Sequence, residues 1–409
     1  MLLRDFFWLD SFYVAWRYVI FNWGRGLTLV ACVTLIAVLP LSLELLLDES
    51  ERQLLLRAET TPLVIGAKGS SLDLVMNSLY FGDTVPESIS MAALEPVSGS
   101  GLALPIPLYV RFKARGAPIV GTRLDYFEFR GLRIAQGRNL VQLGECVLGV
   151  GAAERLGLAP GDFLLSSPET LFDLAGVYPL KMKVVGVLEV SHSADDLAVF
   201  VDLKTAWVIQ GLGHGHRDLT GVTDPTLVMD RSDGSVTATA KLGQYTEITP
   251  ENSDSFHFHG DAADYPITSI IAIPRDDKAR AILRGRYLGA SGDDPREARI
   301  QSQQIQVPGE VVAGLLANIF RIKNLLDAVI LMVGVATVLA LFLVFALSLR
   351  LRQREVQTIF KLGCSRSTIA RLLTAEIVIV LMASTLLTAL LLGAVEHYDE
   401  PLVRALFIR

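Results

Sequence analysis

The chain has 409 residues, 51% of them hydrophobic, and 37 Lys and Arg against 43 Asp and Glu leave a net charge of −6. That acidic balance gives no sign of a nucleic-acid partner, which requires a basic stripe, while a mean hydropathy of +0.43 is high for a soluble protein. Cys32, Cys146 and Cys364 are far apart and form no CxxC, so the middle of the chain, which holds Cys146 alone, can build neither a disulfide framework nor a thiolate zinc site.

In chain order, residues 1–25 carry Phe6, Phe7, Trp8, Phe12, Tyr13, Trp16, Tyr18, Phe21 and Trp23. Aromatic side chains with polar tips favour the headgroup zone, which predicts a helix lying in the cytoplasmic interface. Residues 26–47 are apolar apart from Glu44 and long enough to span a bilayer. The stretch is too long for a signal peptide and has no small-residue cleavage site before the acidic Asp48, Glu49 and Glu51, so it reads as a retained anchor.

Residues 48–318 change character to short β runs separated by Gly and Pro, with strands expected at 108–113, 182–188, 197–203 and 267–273 and helices at 151–157 and 276–283. Loops are expected at 98–101 and 230–235. An α+β domain of about 270 residues can be stabilised by its own core. Val312, Leu315, Leu316, Ile319 and Phe320 then recur at helical spacing, and no breaker precedes the uncharged run 328–349. Residues 319–350 are therefore expected to form a stalk and second span in one helix.

Residues 351–366 form a basic loop, 367–395 a third span containing Glu376, and 396–409 a tail. Across this loop and its flanks, Arg350, Arg352, Arg354, Lys361, Arg366 and Arg371 face one acid, Glu355. Positive residues in short loops stay in the cytoplasm, which puts the N-terminus inside and both the large domain and the tail outside. The fold class expected is a membrane protein with three transmembrane α-helices and a large extracytoplasmic α+β domain.

Few site motifs stand out. No G-x-x-x-x-G-K-[ST] is present, and residues 65–71, superficially phosphate-loop-like, have the wrong spacing and read as a turn after a strand. Ser191, His192 and Ser193 beside Asp195 and Asp196 bring triad residue types together, but triads assemble from separated positions and no nucleophile elbow occurs. His214/His216 and His257/His259 are two i,i+2 pairs, which on extended strands could each offer two imidazoles to Zn²⁺ or Cu²⁺; a solvated polar loop is the simpler reading. Glu44 and Glu376 sit near span ends, so no intramembrane charge network marks a secondary transporter.

The segment from Arg354 through Glu355, Gly363, Cys364, Ser365 and Arg366, followed by Ala375 and Glu376 entering a span, resembles the R-E-x-x-x-x-x-A-L-G-A-S-R segment of MacB/FtsX-type ABC transporter permeases. Residues 15–25 are similar to the lead into their first span. Residues 119–122, 131–138 and 144–162 resemble the family's periplasmic core. The family pattern continues with a fourth span, whereas residues 401–409 are too short to cross.

The resemblance implies a non-catalytic permease subunit of the bacterial inner membrane, with no cofactor of its own. A separate cytoplasmic ABC ATPase docks on the loop, two permease chains pair as a homodimer, and a periplasmic adaptor is a further partner the family allows. ATP-driven closure then moves the spans and reshapes the outer domain, exporting or extracting a lipophilic or peptide-like substrate. The positions carried over are Arg354, Glu355, Ile359, Phe360, Lys361, Leu362, Gly363, Cys364, Ser365 and Arg366. Val356, Ile359 and Phe360 give the loop an apolar face amid basic residues, Gly363 can end its helix and Ser365 can cap the next. The alternative is a membrane-anchored metal-binding or sensing protein that uses His214, His216, His257 and His259.

Overall fold

The computed structural model describes residues 2–167, 179–215, 228–232, 235–238, 245–289, 295–351, 357–358, 360–361, 363 and 365–407. Two compact units result: a central one of residues 54–315, and a terminal one that combines residues 1–53 and 316–409.

Helices α1 (Leu2–Phe21) and α2 (Trp23–Glu59) open the chain. There follow β1 (Leu63–Ala67), α3 (Ser71–Tyr80), β2 (Ile89–Ser90), α4 (Glu95–Ser98), β3 (Ala103–Ala114), β4 (Ala117–Thr122), α5 (Leu124–Arg130) and β5 (Ile134–Gly137). Next come β6 (Glu145–Leu148), α6 (Val150–Leu156), β7 (Phe163–Leu165), β8 (Lys181–Leu188), β9 (Val199–Asp202), α7 (Leu203–Gln210) and β10 (Gly213–Gly215). The remainder is β11 (Val228–Ser232), β12 (Ser235–Ala238), β13 (Phe256–Phe258), β14 (Pro266–Ile267), β15 (Ser269–Pro274), α8 (Asp277–Gly289), α9 (Pro295–Gln301), β16 (Gln303–Gln306), α10 (Pro308–Leu351) and α11 (Arg366–Phe407).

The central unit is built on one mixed ten-stranded sheet in the order β16-β1-β15-β3-β4-β9-β6-β8-β5, with β7 also paired to β8. Pairings are antiparallel except β4 with β9 and β6 with β8. Helices cover the sheet, so inner strands are buried on both faces and read as nearly continuous apolar runs; every residue of β1 and β6 is buried. Leu63, Ile65, Ile119, Leu148, Val184, Val199, Val201 and Ile270 belong to a single core, and each such side chain contributes about 1.5–3 kcal/mol on burial.

The expected strands at 108–113 and 182–188 lie in β3 and β8. The run 197–203 is shorter as β9, because Asp202 accepts a bond from Lys204 N at 2.9 Å and starts α7. The run 267–273 is split at Thr268 into β14 and β15. Both expected helices form, as α6 and α8. Residues 65–71 run from β1 into α3, which Ser70 caps by accepting from Asp73 N at 3.1 Å. Of the loop expected at 230–235, residues 230–232 and 235 instead lie in an antiparallel ladder, β11 with β12, and residues 233–234 lie outside the described residues; the β-branched Val236 and Thr237 favour strand in this otherwise polar stretch.

In the terminal unit α1 packs along α11. Contacts between α2 and α11 use small polar residues: Thr34 Oγ1 donates to Ser384 O at 3.5 Å and Ser384 Oγ to Val30 O at 3.4 Å. Close approach through small side chains is how helices associate in lipid, where no hydrophobic force drives them together. Among the described residues one helix, Arg366–Glu396, is by itself long and apolar enough to cross a membrane, and it contains the third expected span. The first expected span passes only if Gly26–Ser42 is counted with Asp10–Phe21, a pair bent by 96°. The second lies in α10, where the apolar stretch Asp327–Ala336 is shorter. The tail expected from residue 396 continues the helix of α11 to Phe407.

Candidate functional site

The most strongly organised polar site in the central unit is a buried cluster around Arg57. Residues 54–56 are three leucines, and Arg57 follows them in the last turn of α2, almost wholly enclosed with the side chain of Asp195. Its Nη1 donates to Asp195 Oδ2 at 2.7 Å and its Nη2 to Oδ1 at 2.9 Å. Nη2 also donates to the Tyr126 hydroxyl at 3.0 Å, which in turn donates to Asp195 Oδ1 at 2.7 Å. Nε donates to the carbonyl of Leu79, the end of α3. Ser193 Oγ donates to Asp195 Oδ2 at 3.0 Å.

Burial alone would push the Asp195 carboxyl up, but the Arg57 charge and hydrogen bonds, with help from Tyr126, hold it below the usual carboxylate range. Burial likewise opposes the Arg57 charge, and the facing carboxylate reverses the effect. Burial raises the Tyr126 hydroxyl, so it stays protonated and donating. Arg130 reaches the edge of this cluster, donating to Thr61 Oγ1 at 2.9 Å, with its guanidinium 5.8 Å from the centre of the Tyr126 ring. A charge this deeply enclosed survives only when paired and bonded, so the cluster fixes the end of α2 to α3, α5 and the turn at residues 194–197.

Gly149 holds the same turn from the other side. A Cβ on it would lie 2.2 Å from Asp195 O and 2.4 Å from Asp196 O. Only glycine lets the start of α6 approach so closely, which gives Gly149 of the 144–162 segment a physical reason.

Asp195 is thereby committed to Arg57 and Tyr126, and Asp196 Oδ1 accepts from Ser191 N and Ser191 Oγ at 2.8 and 2.7 Å. These carboxylates anchor a turn. Arg57, Tyr126 and Arg130 were not singled out from the sequence; a lone arginine among leucines was the one available signal.

At the basic loop, Arg354, Glu355, Ile359, Leu362 and Cys364 lie outside the described residues, and Phe360, Lys361, Gly363, Ser365 and Arg366 lie within them. Gly363 has φ +97° and its N–H donates to Phe360 O at 3.0 Å, the left-handed turn that ends a helix. Ser365 Oγ accepts from Thr368 N at 3.2 Å, an N-cap on α11. Phe360, Lys361 and Arg366 are exposed.

Three of the four paired histidines lie on or beside a short antiparallel ribbon. His214 in β10 stands opposite His257 in β13, and His259 follows two residues later. One ring nitrogen from each of the three lies within 4.8 Å of the others. His216 lies outside the described residues.

The sequence model of the MacB-like periplasmic core domain family matches residues 31–244, just over half of the chain. No curated protein matches the sequence. The structure is similar to the periplasmic region of MacB from Actinobacillus actinomycetemcomitans, with 13% identity, a TM-score of 0.32, and coverage of 64% of this chain and 94% of that one. It is also similar to the extracellular domain of the noncanonic ABC-type transporter YknZ from Gram-positive bacteria, with 12% identity, a TM-score of 0.30, and coverage of 60% and 98%. Likenesses this distant do not bear on function, and the family rests on the sequence model. This chain belongs to the MacB-like periplasmic core domain family, that of the MacB/FtsX-type ABC transporter permeases.

Proposed function

We propose that this chain is the permease subunit of an ABC transporter, coupling ATP hydrolysis by a separate cytoplasmic ATPase to a change of shape in its periplasmic domain. The chain itself is non-catalytic in this reading. It crosses the inner membrane three times, pairs with a second copy, and exports or extracts a lipophilic or peptide-like substrate, with or without a periplasmic adaptor. The observation that carries the reading is the Arg57 cluster in a domain of the MacB-like family. Arg57, in the last turn of α2, is held within that domain by Asp195 and Tyr126, which supports a reading in which movement reaches the domain through this ion pair.

The basic loop supplies the other end of the coupling. Gly363 and Ser365 set the turn that leads into α11, and Arg354, Glu355, Ile359, Phe360, Lys361, Leu362, Cys364 and Arg366 complete the surface offered to the ATPase. Purification of the full chain from its native membrane recovers an ATPase subunit, and the charge reversals Arg354→Glu and Lys361→Glu release it. An ATPase retained by both reversals, or none recovered with the unaltered chain, removes this reading.

A further inference from the structure

His214, His257 and His259 occupy one face of a short ribbon whose other face is anchored in the core. β10 and β13 pair antiparallel, with Gly213 opposite Phe258, His214 opposite His257 and Gly215 opposite Phe256. Side chains alternate along a strand, so Phe256 and Phe258 take one face, where they pack against the core. Gly213 and Gly215 leave room for them: a Cβ at either position would come within 2.5 and 2.7 Å of the Phe258 and Phe256 rings, respectively. That arrangement settles which way the ribbon faces, and it sends His214, His257 and His259 to the other side together. His257 and His259 are exposed and His214 partly so.

The rings are close and evenly disposed. Centroids are 4.9 Å apart for His214–His257, 4.9 Å for His214–His259 and 4.8 Å for His257–His259. The Nε2 atoms of His214 and His259 are 3.4 Å apart, near the spacing of about 3.3 Å for two tetrahedral ligands each roughly 2.0–2.1 Å from one ion. His257 Nδ1 lies 3.2 Å from Ser255 O; donation there leaves the lone pair of that ring on Nε2, the way an outer hydrogen bond orients a metal-ligating imidazole. The Tyr265 hydroxyl donates to His259 O at 3.0 Å and holds the end of the strand.

We propose that His214, His257 and His259 form a binding site for a first-row divalent cation of the zinc–copper class on the periplasmic domain. Imidazole-only ligation selects Zn²⁺ and Cu²⁺ over Mg²⁺ and Ca²⁺, which take oxygen ligands. Three protein ligands leave a fourth position for water or a ligand from another molecule. The site joins β10 to β13 across residues distant in sequence, so an ion bound there ties the two strands together. It stands on geometry independent of the permease reading and holds or fails separately from it.

The test uses the full chain in detergent, without a polyhistidine tag and freed of metal with a chelator. Zn²⁺ and Cu²⁺ are titrated calorimetrically, with Mg²⁺ and Ca²⁺ alongside. One Zn²⁺ or Cu²⁺ per chain is expected, with no saturable heat from Mg²⁺ or Ca²⁺. The pair His257→Ala, His259→Ala and the single His214→Ala each weaken binding by at least about 10–100-fold, the cost of losing even an outer-shell partner, whereas His192→Ala and His397→Ala leave it unchanged. The exposed His257 and His259 can be removed without disturbing the core, and unchanged circular dichroism verifies this; the pair His257→Gln, His259→Gln repeats the loss with side chains of similar bulk. Failure of the unaltered chain to bind, or binding that falls less than tenfold in both paired variants, overturns the proposal.

Discussion

Arg57 and Asp195, 138 residues apart in sequence, meet as a bidentate pair with N–O distances of 2.7 and 2.9 Å inside the central unit. Both charges are taken out of water, and the Tyr126 hydroxyl bridges them by accepting from one and donating to the other. Breaking such a pair by truncating one partner leaves a buried charge with no counter-ion, at a cost of roughly 3–5 kcal/mol. Arg57→Ala and Asp195→Ala are each expected to destabilise the domain by that amount in urea unfolding of the full chain. An apolar double replacement, Arg57→Met with Asp195→Leu, removes both charges and recovers most of the loss. If the double variant is as unstable as the sum of the two singles, the pair is not the coupled unit described.

The same pair gives stability a pH dependence with a definite sign. Against the effect of burial, Arg57 holds the folded-state carboxyl of Asp195 below its ordinary value. A carboxylate depressed on folding contributes stability that is complete above the unfolded value of about 3.9 and is lost as pH falls through the lower, folded value. Acid unfolding monitored between about pH 5 and pH 2 therefore shows a loss that Asp195→Asn removes. Arg57 titrates far above this range and adds nothing to the acid limb. An acid limb unchanged in Asp195→Asn assigns the loss to other carboxylates.

Gly149 tests the turn that carries Asp195. Gly149→Ala puts a methyl against two carbonyl oxygens of the 195–196 backbone, which cannot move as a side chain would. Overpacking of this kind costs about 1–3 kcal/mol. The extra expectation is coupling: combined with Asp195→Ala, the two losses sum to less than their separate values, because the displaced turn has already loosened the ion pair. Simple additivity would show that α6 and the Arg57 pair are independent.

Much of the fold could be read from the sequence, and the parts that could not have physical reasons. The strands at 108–113 and 182–188 are rich in β-branched, aromatic and other apolar residues, which marks strand even where both faces are buried. The pairing of β11 with β12 was hidden because Asp230, Ser232 and Ser235 are turn-forming residues and the stretch has no apolar alternation. The Gly363 turn and Ser365 cap are local chemistry and were legible residue by residue. Arg57 was not, because its partners arrive from α3, α5 and the 194–197 turn. The histidines lie between these cases: i,i+2 spacing put His257 and His259 on one face, but only the β10–β13 register brings His214 to them.

Gly363 separates the loop's conformation from its charge. Its φ of +97° is one that a side chain resists, so Gly363→Ala costs about 1 kcal/mol locally and shifts the residues just before it. ATPase recovery is expected to fall in this variant while expression and membrane insertion remain normal. Ser365→Ala, which removes a cap of about 1 kcal/mol, acts in the same direction. Undiminished recovery in both variants would mean that the ATPase reads the loop's charges without needing this turn.

Membrane topology is the prediction with the widest consequences, because among the described residues one helix alone meets the length and apolarity of a span unaided. The charge asymmetry argues for three crossings: six basic residues cluster around the 351–366 loop, whereas Glu396, Asp399 and Glu400 follow the last apolar run. Native thiols serve poorly as reporters, since Cys146 is buried and burial pushes its thiol pKa up, which suppresses thiolate reactivity. Single cysteines in a cysteine-free chain are better placed at Asp83, an exposed outer-domain position, at the exposed Lys361, and at Glu396 beyond the third apolar run. A membrane-impermeant maleimide applied from the periplasmic side is expected to label Asp83→Cys and Glu396→Cys and to spare Lys361→Cys until the membrane is opened. Protection of position 396 would reverse the direction of the last helix and add or remove a crossing. Labelling of position 361 from outside would place the loop on the wrong side for an ATPase and end the coupling argument at its cytoplasmic end, leaving the Arg57 cluster as a structural joint alone.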